Sequence, residues 1–373
     1  MLFRDIVGQE SLIAHLINEV KSDKISHAQL FLGATGYGGL PLALAFVQYV
    51  LCENRHDKDS CNECATCQKM NKMEHADVHF SFPAVQAIGK LSDNFIDSWR
   101  STVLNNPYLN LEDWTNTIDP EKSRKPIIGS EESLAIIKKL SLKSFEGKQK
   151  VMIIWMAEEM NPTCANKLLK ILEEPPRDTL FILLADSQEY MLQTILSRTQ
   201  ILTIPSIQVE SLAKKLSQVY SIESFLAMSY ASLAEGNFNE ATKLISDNEL
   251  KNLNRDLFIE LMRVCYKKDV IQMIDWSEKV GGIGKEKQKI FIKYAIHMFR
   301  QSMLKNYTEN QLTKISAEEN EFLEKFARFI TGNNIFDFME YFNDAHYGIE
   351  RNANPKLLLT NLCFKVMRFI HYA

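Results

Sequence analysis

Apolar side chains recur along this chain with two periods, and the change from one to the other divides it. In QESLIAHLINEVK (9–21), Leu12, Ile13, Leu16, Ile17 and Val20 fall on one helical face. HAQLFLG (27–33) reads as a short buried strand running into glycines, and LPLALAFVQYVLC (40–52) as a helix apolar all round and therefore buried. Further strands are expected at 75–83, in KQKVMIIWMAE (148–158), in TLFILLA (179–185) and in TQILTIPS (199–206). Helices are expected between them. One starts at Gly129 with Ser130 as N-cap, one covers 161–176 and one covers 188–198. In the second, Asn161 is the expected N-cap, Pro162 the first residue and Pro175-Pro176 the stop. Strands alternating with helices imply an α/β core built on a parallel sheet. Residues 84–129 interrupt the alternation and are expected to form an insertion on the side of the core, with DPEKSRKP as a loop.

Beyond Pro205 nearly everything has helical periodicity: 208–219, 221–234, 238–246, about 250–280, 285–304, 317–331, 333–346 and 355–372. Asn248, Gly281-Gly282, Thr331-Gly332 and Asn354-Pro355 supply the breaks. Three domains are therefore expected, at 1–206, 207–247 and 248–373. No period of about 20–50 residues repeats in the manner of a solenoid.

Composition narrows the function classes. Over 373 residues, 46% are hydrophobic and 24% charged, with a net charge of −4, which argues against an autonomous nucleic-acid binder. Lys138-Lys139 and Lys267-Lys268 read as solvated helix faces. No stretch approaches the roughly 20 apolar residues of a membrane span, and MLFRDIVGQESL has no apolar leader core. A cytoplasmic protein without a membrane role is expected.

The glycine loop after the first strand fits the frame G-x-x-x-x-G-K-[ST] at Gly33, Gly36 and Gly38, but Gly39 stands at the lysine position and Leu40 at the hydroxyl position. The loop thus lacks the cation for the β- and γ-phosphates and the oxygen for Mg²⁺, and Pro41 removes a further backbone donor. In such ATPases an apolar strand delivers an Asp-Glu pair; here VMII is followed by Trp155-Met156, with Glu158 and Glu159 displaced. Gly281-Gly282-Ile283-Gly284-Lys285 has no strand before it and is expected to be a turn.

Four of seven cysteines crowd together as Cys52-x8-Cys61-x2-Cys64-x2-Cys67. Four thiolates suit a closed, structural tetrahedral Zn²⁺ site; an iron–sulfur cluster or reduced thiols remain open. Cys164, Cys265 and Cys363 are expected to be small buried hydrophobes.

The order of glycine loop, cysteine cluster, NKLLKILEEPP (166–176) and TILSRT (194–199) resembles the bacterial clamp-loader ATPases, the AAA+ subunits of the DNA polymerase III holoenzyme. The resemblance covers about residues 1–245 by motif. It implies an AAA+-like core at 1–206 carrying a degenerate P-loop and a zinc module at 52–67, a helical lid at 207–247 and an all-α collar at 248–373. It also implies a third loss, because Asn239 stands where motor subunits place a nucleotide-sensing arginine. Ser197-Arg198 matches the family's S-R-C motif and departs from it at Thr199. By resemblance Arg198 is a trans arginine finger for a neighbour's ATP, against the alternative of an arginine satisfying helix-end carbonyls. The implied function is a subunit without ATPase activity of its own. It would sit in a hetero-oligomeric ring with gamma/tau and delta subunits and meet the sliding clamp and primed DNA through that complex. ATP would go unhydrolysed, its binding left open. The alternatives are a divergent motor subunit and a zinc-dependent nucleic-acid-binding module.

Overall fold

The computed structural model describes residues 1–121, 124–146, 149–222, 224–246, 248–307 and 317–371. Lys122, Ser123, Lys148, Glu223 and Tyr372, which the expected elements include, lie outside the described residues. Two compact units result, one of 1–212 with 236–239, the other of 213–235 with 240–373.

In the first unit the apolar runs form five strands: β1 (Ala28–Leu32), β2 (Val78–Ser81), β3 (Lys150–Ile154), β4 (Thr179–Ala185) and β5 (Gln200–Thr203). They pair in parallel, in the order β2-β3-β4-β1-β5. The expected α/β core with a parallel sheet is thus present. Side chains alternate across it: Phe31, Ile153 and Ile182 enter one apolar cluster, whereas Leu30, Met152 and Phe181 enter the other. Both faces are buried, which is why β3 and β4 read as unbroken hydrophobic runs.

The helices of this unit are α1 (Glu10–Lys21), α2 (Gly39–Leu51), α3 (Ala65–Asn71), α4 (Ile96–Asn105), α5 (Leu111–Ile118), α6 (Ser130–Ser141), α7 (Pro162–Glu173) and α8 (Gln193–Leu196). In α7 the Asn161 side chain accepts the Cys164 N–H at 2.7 Å and Pro162 opens the helix, as expected. Two expectations are corrected. Gly129, not Ser130, is the N-cap of α6, and it makes no side-chain cap bond. The helix expected over 188–198 is broken into a 3-10 turn at Gln188–Tyr190 and the short α8, because Met191 and Leu192 take extended φ/ψ.

The insertion contains α4 and α5. Trp99 of α4 lies 4.3 Å from Phe82, 5.2 Å from Trp114 of α5 and 5.0 Å from Trp155 at the end of β3. The Trp114 indole N–H donates to the Pro83 carbonyl at 2.7 Å. This buried aromatic knot fixes the insertion to the sheet.

The remaining helices are α9 (Val209–Tyr220), α10 (Ser224–Leu233), α11 (Phe238–Ser246), α12 (Asn248–Lys267), α13 (Val270–Gly281), α14 (Lys285–Tyr307), α15 (Ala317–Phe326), α16 (Ile335–Glu350) and α17 (Pro355–His371). The second unit has its own core around Phe258, Trp276, Phe291, Phe299, Phe338 and Phe342. The helix expected from about 250 to 280 is two helices: Lys268 has φ +58°, and the Asp269 side chain caps α13 by accepting the Gln272 N–H at 3.1 Å. Gly284, at φ +93°, forms the expected turn before α14. Cys164, Cys265 and Cys363 are all buried. Among the described residues, no helix is long and apolar enough to cross a membrane.

Candidate functional site

The glycine loop leaves the C-terminal end of β1 and enters α2, the strand–loop–helix setting a phosphate loop requires. Gly33 N–H donates to the Ala185 carbonyl at 3.0 Å, tying the loop to the end of β4. Gly36 and Gly38 have φ of +92° and +100°, so both need glycine. Gly39 opens α2, and Leu40 and Pro41 are buried within it. The loop therefore keeps its turn while Gly39 and Leu40, at the lysine and hydroxyl positions, offer neither a cation nor a Mg²⁺ ligand.

Around the loop, Gly38, Leu40, Tyr108, Trp155, Leu184 and Asp186 line a cavity with about 20 Å³ of room, little more than one water occupies. Trp155 is buried, and Met156 turns the chain through φ +56°. The Asp186 carboxylate accepts the Thr35 N–H at 2.9 Å and the Thr35 hydroxyl at 3.3 Å. Behind it, a Glu158 carboxylate oxygen accepts the Asp186 N–H at 2.7 Å. Burial pushes Glu158 up to about 7 and Asp186 up to about 6, against the pull of these hydrogen bonds.

A second set of contacts comes from 236–239. Asn237 donates to the Thr35 carbonyl at 2.9 Å, and Phe238 N–H to the Gly36 carbonyl at 3.0 Å. A Cβ on Gly36 would meet the Asn237 carboxamide at 1.9 Å, so loop and segment are packed with no slack. Asn239 is buried, donates to Asp113 at 2.6 Å and accepts from Asn106 at 2.9 Å. The expected sensor position is thus bonded to the insertion.

The four clustered cysteines are brought together. Their sulfurs all lie within 4.8 Å of one another. Cys52 follows α2, Cys64 caps α3 and Cys67 lies in its first turn. Cys52–Cys61, Cys61–Cys67 and Cys52–Cys67 sulfurs are 3.5, 3.9 and 3.7 Å apart. A tetrahedron with Zn–S bonds of about 2.3 Å has edges of about 3.8 Å, so the spacing fits. Backbone N–H groups of Glu63 and Cys64 point at the Cys61 sulfur and hold its thiol down to about 6. Burial raises Cys52 and Cys67, a cost that a bound divalent cation would reverse. The set could hold a metal ion, and its chemistry is compatible with structural zinc.

Arg198 follows α8, and Ser197 is that helix's C-cap. Its guanidinium donates to one Glu173 oxygen at 3.1 and 3.0 Å, to the Thr194 carbonyl at 3.0 Å and to the Ser197 hydroxyl at 3.3 Å. In the isolated chain it thus satisfies a helix-end carbonyl and is paired with an exposed carboxylate, a type of pair worth about 1 kcal/mol or less.

The family model described as "DNA polymerase III, delta subunit" matches residues 8–208, more than half of the chain. The chain belongs to that family. Among relatives of the polymerase III family, the Bacillus subtilis (strain 168) "DNA polymerase III subunit tau" is 23% identical over 99% of this chain and 62% of its own length. The "DNA polymerase III subunit delta'" of the same organism is 25% identical over 70% of this chain and 66% of its own. The chain therefore spans somewhat less than two thirds of these relatives. A Thermotoga maritima "gamma subunit-related protein" of known structure is 16% identical, covers 96% of this chain and 99% of its own, and superposes with a TM-score of 0.37. Tau and delta' match at similar identity, so the comparisons do not choose between branches of the polymerase III family.

The sequence alone left out Asp186, Asn237 and Tyr108, and read Glu158 only as a displaced acid. An acid directly after the apolar run of β4 was a visible signal for Asp186. No local pattern marks Tyr108 or Asn237, which reach the loop only through tertiary packing.

Proposed function

We propose that this chain is a delta prime-type clamp-loader subunit of DNA polymerase III, a ring member that does not hydrolyse ATP. The observation that carries the proposal is the cavity at the glycine loop. About 20 Å³ of room remains there, little more than one water occupies, with Gly39 and Leu40 in place of lysine and hydroxyl. Trp155 in place of the metal-binding acid and Asn239 in place of the sensing arginine support it.

In this proposal residues 1–206 are the AAA+-like core, 207–247 the lid and 248–373 the collar joining gamma/tau and delta neighbours. Cys52, Cys61, Cys64 and Cys67 hold a structural zinc that pins the end of α2 to α3. Arg198 leaves Glu173 on assembly and reaches the phosphates of the neighbour's ATP, where a planar cation stabilises charge developing in phosphoryl transfer. The rival, a divergent motor subunit, draws on the tau match over 99% of the chain.

The test is assembly with the clamp-loading ATPases and sliding clamp of its own cell. Co-purification, and clamp loading that requires the chain, are expected. Loading at full rate without it would remove the proposal.

A further inference from the structure

The insertion does more than cover the core. Its α4–α5 connection delivers Pro107, Tyr108 and Leu109 to the wall of the cavity beside the glycine loop. The Tyr108 ring lies against the loop, its edge 3.4 Å from where a Cβ on Gly38 would stand. Its other neighbour is the Phe238 ring, at 4.4 Å between centroids and 31° between planes. Its hydroxyl accepts the buried Val7 N–H at 3.1 Å. A planar aromatic ring, packed at a tilt against another and accepting a backbone N–H beside a phosphate loop, has surroundings like those of a nucleobase.

We infer that Tyr108 is a built-in stand-in for a nucleobase, filling from within the place that a nucleotide's base would take. This inference rests on the non-hydrolysing proposal above and supplies its physical cause. The ring is held at both ends of its segment. Tyr108 N–H donates to the Asn106 side chain at 3.1 Å, and Asn106 in turn donates to Asn239. Asn110 caps α5 by accepting the Asp113 N–H at 2.9 Å. The knot of Trp99, Trp114 and Trp155 fixes the two helices that carry the segment. The same Trp155 that displaces the metal-binding acid is thus the floor on which the plug is mounted. Loss of the acid and closure of the site are one packing event.

The test uses the full chain and its Tyr108→Ala variant, with adenine and p-cresol as probes and thermal melting and calorimetry as readouts. Removing the ring leaves a hole that is relieved when an aromatic ligand enters. Wild type is expected to ignore both probes. Tyr108→Ala is expected to bind both, competitively, with adenine gaining about ten-fold or more over wild type. Tyr108→Phe keeps the ring and is expected to stay blind to adenine. Where Tyr108→Ala does not fold, Tyr108→Val carries the same comparison. Binding of p-cresol without adenine would overturn the assignment, as would equal adenine binding by wild type. Turnover of MgATP by wild type would remove the non-hydrolysing proposal itself; a chain that ignores MgATP and an adenine-blind Tyr108→Ala would remove only the role of Tyr108.

Discussion

Individual side chains at the glycine loop carry charge in an unusual way. Glu158 and Asp186 are buried carboxyls whose folded pKa values lie above their ordinary ones, at about 7 and about 6. A raised acid favours the protonated fold. Its stability contribution is complete below the ordinary carboxylate range and is lost as pH rises through about 6 and then about 7. Melting temperature is therefore expected to fall between pH 5 and pH 8 in wild type. Glu158→Gln, which keeps the acceptor for the Asp186 N–H, is expected to melt higher at pH 8 and to show a flatter profile. A steeper profile in the variant would contradict this. Arg198 is the proposed finger. Arg198→Ala is expected to leave the unfolding free energy of the isolated chain within about 1 kcal/mol of wild type, because only an exposed pair is lost. In the assembled loader the same change is expected to lower turnover at the neighbouring ATP site by about 10²-fold, with KM little altered. Unchanged turnover would reduce Arg198 to a helix-end residue.

The elements follow from sequence where one physical cause dominates. β3 and β4 were legible because burial on both faces leaves only apolar residues, and α7 because Asn161, Pro162 and Pro175 mark its two ends. The break between α12 and α13 was not legible. Lys268 adopts a left-handed turn that no glycine announces, and the cap at Asp269 sits among other charged residues. Asp269→Ala is expected to cost about 1 kcal/mol in urea denaturation. The cysteine spacing was legible as a metal-ligand set, whereas the direction in which Cys64 and Glu63 aim their N–H groups was not. Purified chain is expected to carry one zinc per molecule by elemental analysis. Cys61→Ala with Cys64→Ala is expected to lose it and to melt several degrees lower. Metal-free chain with an unchanged melting temperature would contradict a structural zinc. At the end of β3, Trp155→Asp restores an acid in name only. It is expected to destabilise the fold by about 3–5 kcal/mol, since Trp99 loses its partner, and to bring no turnover.

Across the whole molecule, the contrast is between a retained motif and the packing around it. The glycine loop survives because its turn joins β1 to α2, with Gly36 and Gly38 at φ values other residues avoid. Tyr108, Asn237, Asp186 and Trp155 close on it from four segments of the chain. The retained glycines and the departures at the lysine and hydroxyl positions could be read directly from sequence. The closure could not, because residues separated by as many as 202 positions in the chain, Thr35 and Asn237, meet only in the folded unit. The direct measurement is equilibrium titration of the purified full chain with MgATP, followed by calorimetry and by phosphate release. No heat of binding up to millimolar MgATP and no phosphate released are expected. Micromolar binding, or any turnover lost on mutation of the glycine loop, would show an open site and a working ATPase.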